Sequence, residues 1–122
     1  METLDLPGAT VSLIDDGIFL FEAKENTVVD KVAARNYYDE IEKHADGDYS
    51  LIVNRKNRYQ LLRFEVFGVI NSQSRLKAVA IVADRHATQK MIELDAPLCE
   101  KPFAAFTNIE DAVDWVRSLE QK

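Results

Sequence analysis

The chain has 122 residues, 47% of them hydrophobic and 30% charged, a composition that suits a soluble globular protein with one sizeable core. Its net charge of −6 argues against general nucleic-acid binding, which needs a dominant basic field. Only four Gly and three Pro argue against a linker, repeat array or disordered tail, so a single domain over 1–122 is expected.

Residues 9–14 and 17–23 are strand-like runs. The Asp16-Gly17 step between them is a hairpin signal, because glycine takes positive φ without a Cβ clash. The period then changes. From Thr27 to His44 the apolar positions Val29, Val32, Ala33, Tyr37 and Ile41 recur at helical steps. Thr27 followed by Asp30 resembles a capping box, and Gly47 is placed for a left-handed C-cap. Residues 49–53, a short continuous apolar run, suit a strand covered on both faces.

A second helix is expected over 64–74, with Phe64, Phe67 and Ile70 on one face and Val66 and Val69 broadening it. Residues 76–84 form the clearest buried strand. A third helix over 86–94 would turn Ala87, Met91 and Leu94 inward, with Asp84 or Arg85 near its start. Pro97 and Pro102 bracket a connection, and 103–107 is another strand. Thr107 to Glu110 then reads as a capping box for an amphipathic helix carrying Ile109, Ala112, Val113, Val116 and Leu119. The order β-β-α-β-α-β-α-β-α implies an α/β fold. It has a mixed sheet of about five strands, an N-terminal β-hairpin and helices packed on the sheet.

Cys99 is the single cysteine, so no intramolecular disulfide or thiolate metal cluster forms and a reducing compartment is the simpler reading. Residues 1–7 lack the basic n-region of a signal peptide. The longest apolar run, residues 78–83, falls far short of the roughly 20 residues that cross a bilayer. A cytoplasmic protein without membrane insertion is expected. The four glycines, at 8, 17, 47 and 68, are too scattered for a phosphate-cradling loop. The two histidines have no metal-ligand spacing.

The segments "LKAVAIVADRHATQKMIELDAP" and "KPFAAFTNIEDAVDWVRSL" together resemble the SpoIIAA-like branch of the STAS superfamily. That branch is linked in name to CRAL-TRIO lipid-transfer domains. The likeness is closest over 76–120 and extends over 10–75 through element order. It implies a bacterial regulatory domain, non-catalytic and without a cofactor. In the anti-sigma-factor antagonists of that branch, a kinase phosphorylates a serine that starts the helix after the strand matching residues 50–53. This chain departs from the pattern. Its equivalent stretch is Asn54-Arg55-Lys56-Asn57-Arg58-Tyr59, and no Ser or Thr occurs from Leu51 through Asn71, so the phosphorylation switch carries over to no residue.

In open α/β sheets, ligands and partners meet the carboxyl ends of the strands. Asn54, Arg55, Lys56 and Arg58 should lie there, beside Asp84, Arg85 and His86 of the next strand's end. These seven residues are the candidate site, a surface for an acidic partner or small anion. The alternative is a solvated loop whose charges keep a sheet end soluble. Asp84 and His86 do not make a catalytic dyad, since positions i and i+2 do not face each other on a helix. Capping accounts for Asp84, and His44 suits a helix C-terminus. Cys99 reads as an inert thiol, while Ser72 and Ser74 read as helix-end capping residues. Trp115 lies off the main stripe of its helix, placed to cover a sheet edge or to face a second protomer.

No set of acid, base and nucleophile assembles, so an enzyme is not expected. The first reading is a binding or regulatory module acting through a protein partner or as a homodimer. The second is a carrier of a lipid or other apolar small molecule, suggested by the aromatic-rich runs "IFLF" and "FEVF".

Overall fold

The structure, a computed structural model, describes residues 3–120. It begins with an antiparallel meander of Leu4–Leu6 (β1), Ala9–Asp15 (β2) and Ile18–Ala23 (β3). Gly8 and Gly17, at φ +81° and +70°, make the two turns, a conformation that a side chain resists. After β3 the chain alternates helix and strand. Val28–Val29 (β4) leads into α1 (Lys31–His44), then Tyr49–Asn54 (β5), Gln60–Leu61 (β6) and α2 (Arg63–Ser72) follow. Leu76–Val82 (β7), α3 (Arg85–Asp95), Phe103–Phe106 (β8) and α4 (Ile109–Glu120) complete it.

The main sheet has six strands in the order β1-β2-β3-β5-β7-β8, with β3, β5, β7 and β8 mutually parallel. The expected α/β class with its N-terminal hairpin is thus observed, with one strand more than the five expected. The additional strand, β1, has only three residues, too few to show a period. A second, two-stranded sheet pairs β4 with β6. Parallel neighbours are added always in one direction across the sheet. Right-handed crossovers then place α1, α2 and α3 on one face, and α4 turns back onto the other.

Strand alternation sorts the core accordingly. Phe19, Phe21, Leu51, Val79 and Ile81 face α1 and α2 within the larger cluster. Ile18, Ile52, Ala80 and Val82 face Ala112 and Val116 of α4. Strand β5, apolar on consecutive positions, is covered on both faces, as its unbroken hydrophobic run predicts. Trp115 covers the sheet edge, its ring 5.8 Å from that of Phe106 on β8.

Several local expectations shift by a residue or a face. Helix α1 is capped by Asp30, which accepts from the Ala33 N–H at 2.9 Å. Thr27 instead donates to the Gly8 carbonyl, because β4 intervenes between it and the helix. Gly47 lies outside the left-handed region. The end of α1 is closed by Arg75, whose guanidinium donates to the carbonyls of Glu42, Ala45 and Gly47. Asn108, not Thr107, caps α4, exchanging hydrogen bonds with Asp111 at 2.8 and 3.0 Å. On α1 the buried stripe is Ala34, Tyr37, Tyr38 and Ile41, and Val32 is 64% exposed. Phe64, in the first turn of α2, is 82% exposed, ahead of the buried Val66, Phe67 and Ile70. On α3 Asp95 takes the inward position expected of Leu94, which is 45% exposed.

Candidate functional site

The carboxyl ends of the central strands bring distant segments together. The Arg55 N–H donates to the Val82 carbonyl at the end of β7, and the Ala83 N–H donates to the Phe106 carbonyl at the end of β8. Asn57 reaches the Ala23 carbonyl at the end of β3. Loop 54–58 and the start of α3 therefore share one edge of the sheet.

Their side chains diverge from that edge. Asn54 continues the α4-side register and donates to Glu22 Oε2 at 2.9 Å. Lys56 pairs with the same carboxylate at 3.3 Å. Arg58 is exposed, and its backbone N–H donates to Glu25. Asp84 caps α3 through the Ala87 N–H at 2.8 Å, and Arg85 and His86 are exposed in the first turn of that helix. Arg55 turns inward, to the face opposite Asn54. It is half-buried, its guanidinium carbon 4.7 Å from the centre of the Tyr59 ring and Nη1 3.2 Å from Met91 Sδ.

That turn follows from pleating. Leu51, Val53 and Arg55 alternate onto the face that α1 and α2 cover. Between that face and the helices lies an apolar hollow of ≈ 60 Å³. Phe21, Leu51, Val53, Val79 and Ile81 make its floor. Ala34, Tyr38 and Ile41 of α1 and Val66, Phe67 and Ile70 of α2 make its roof. Val29 and Leu61, from the paired β4 and β6, close its side. Its lining, apolar with a few polar groups at one end, is the make-up of a small-molecule site, at a smaller volume.

The mouth holds the polar groups. Asp95 is 1% exposed and accepts from Arg63 Nε at 2.5 Å, while the Arg63 side chain is 29% exposed. Arg63 Nη2 also lies 3.9 Å from Met91 Sδ. Two guanidiniums thus converge on one thioether. Arg63 has its carboxylate, and Arg55 has an aromatic face and a sulfur. Burial raises the Tyr59 hydroxyl above its usual value, and burial raises the Tyr38 hydroxyl still further, so both remain neutral donors at physiological pH.

Tyr59, Arg63, Met91 and Asp95 were outside the sequence-based site. One signal for them exists. Ala87, Met91 and Asp95 recur at four-residue steps on α3, and a carboxylate ending an inward stripe calls for a buried cation. Cys99 is half-buried and its thiol is raised by burial, which keeps it protonated near neutrality. Among the described residues no group of three or more His, Cys, Asp or Glu is placed to hold a metal. No helix among them is long and apolar enough to cross a membrane. Comparison of the chain with protein-family models, with curated proteins and with solved structures gave no match.

Proposed function

We propose that this protein is a non-catalytic binding module for an apolar small molecule, held between the sheet and helices α1 and α2. The observation that carries the reading is the hollow itself, floored and roofed by aliphatic and aromatic side chains and open at one end. Interiors ordinarily pack with few voids larger than a water. A hollow this apolar is not stabilised by water, which needs two or more polar partners. An apolar guest restores the missing contacts.

Native mass spectrometry of protein from its own host tests this. A co-purified apolar mass is expected, and it should be absent from Ala34→Leu, which extends a side chain from α1 into the space. An Ala34→Leu protein that retains the mass places the guest elsewhere.

A protein partner, with or without a second copy of the chain, is the second reading. It is favoured by the groove between β1 and α1, where exposed Val28 and Val32 lie beside Leu6 and Pro7. Among the described residues that line it, Asp30, Asp39, Glu40 and Glu42 face one cation, Lys43. Such a surface suits a basic amphipathic segment. Charge reversal at Asp39 and Glu42 should abolish capture of that segment.

A further inference from the structure

We infer that the guest of the hollow is an amphiphile with one carboxylate head, its tail between α1, α2 and the sheet and its head on the Arg55 guanidinium. This inference rests on the binding reading above and names the class of ligand.

The charge count at the mouth carries it. Arg55 and Arg63 both approach Met91 Sδ, at 3.2 and 3.9 Å, and the one carboxylate lining the hollow, Asp95, belongs to Arg63 at 2.5 Å. Among the described residues the Arg55 guanidinium forms no ion pair. Its side-chain contacts are the Met91 sulfur and the face of Tyr59. Neither is an oxygen acceptor, so a half-buried planar fork of donors is left with weak partners. Burying a charge costs heavily unless it is paired. A guanidinium is shaped for a carboxylate held through two parallel hydrogen bonds.

The rest of the site selects the tail and the single charge. Arg55 follows Leu51 and Val53 in the alternation of β5, so an anion on its fork sits at the end of the apolar floor. Arg55 and Asp95 are the charged residues that line the hollow, and Arg63, behind that lining, neutralises Asp95, so one negative charge balances Arg55. A phosphate dianion overshoots that balance. The Tyr59 ring beneath Arg55 holds the guanidinium by a cation–π contact. The neighbouring Arg58, exposed on the same loop, serves as the control.

Calorimetric titration with decanoate and with 1-decanol, which share a tail and differ in the head, tests the assignment. The wild-type chain should bind decanoate about tenfold or more tighter than decanol, the scale of a hydrogen bond to a charged group. Arg55→Gln should erase that preference, and Arg55→Lys should restore part of it. Arg58→Gln should behave as wild type. As a readout independent of the variants' folding, decanoate and not decanol should shift the Arg55 Nε–H resonance of the wild-type protein. Equal affinities for the two compounds, or a preference that survives in folded Arg55→Gln, would overturn the carboxylate assignment while the hollow remains a binding site. Binding of neither compound would overturn the proposed function, and this inference with it.

Discussion

The two faces of the sheet solve the same packing problem differently. On one, α4 alone lies across the central strands. Small side chains, Ala80 against Ala112 with Ile18, Ile52 and Val116 around them, let the layers close. On the other, α1 and α2 with larger aromatic side chains meet over Phe21, Leu51 and Val79, and they leave a hollow with a charged mouth. Dense packing yields stability, and incomplete packing leaves room for chemistry. One molecule shows both because crossover handedness crowds one face and leaves the other to a single helix.

The comparison breaks most severely at the mouth. Arg63→Ala leaves Asp95 buried without its cation, and a loss of about 3–5 kcal/mol is expected in urea unfolding. The double variant Arg63→Met with Asp95→Leu should recover most of that loss, since both charges leave together. A double variant as unstable as the single one would show that the pair contributes more than mutual neutralisation.

Next come matched truncations of the same residue type on the two faces. Ile52→Ala beneath α4 should cost about 4 kcal/mol, and Ile70→Ala beside the hollow about 2, within the range for large-to-small core changes. A side chain already bordering empty space has fewer contacts to lose. Equal losses in chemical denaturation would mean that the two faces are packed alike.

A smaller effect belongs to the β1–β2 turn, which braces the helical face. A Cβ at Gly8 would lie 2.7 Å from Tyr37 Oη and 2.8 Å from Thr27 Cγ2, in a backbone at φ +81°. The Tyr37 hydroxyl donates to the Pro7 carbonyl beside it. Gly8→Ala should therefore cost about 1–3 kcal/mol and weaken guest binding by moving Tyr37, whereas Gly47→Ala, with nothing near, should do neither.

The smallest effect concerns the pH response of the α4 side. The Asp16 backbone N–H and then the Arg117 guanidinium hold the exposed Asp15 carboxyl below its ordinary 3.8. A carboxyl lowered in the folded state favours folding above 3.8 and loses that contribution as pH falls through the lowered value. The urea midpoint of Asp15→Asn should accordingly fall less between pH 5 and pH 2 than that of the wild type. Identical profiles would remove Asp15 from the acid response.

Reading the residues alone recovered the helices and five strands of the main sheet to within a few positions, because period and turn chemistry are local. The Asp16-Gly17 turn, the β5 and β7 apolar runs and the Asp84 cap each follow from neighbours in the chain. Caps at Asp30 and Asn108 were displaced because Thr27 and Thr107 are equally good cap types, and only the path of the backbone chooses between them. The mouth of the hollow was half legible. Arg55 was a candidate by its place after β5, but its partners come from α3 and from Tyr59.

Amino-acid order by itself determined the α/β class, the hairpin and the gathering of polar residues at the strands' carboxyl ends, since each depends on contacts within a few residues. Only the tertiary structure decided that three helices share one face, that they stop short of filling it, and that Arg55 meets a sulfur and a ring where Arg63 meets Asp95. Those outcomes depend on strand order and on pairs some 30 positions apart, 36 for Arg55 and Met91 and 32 for Arg63 and Asp95. No local period encodes a contact at that separation.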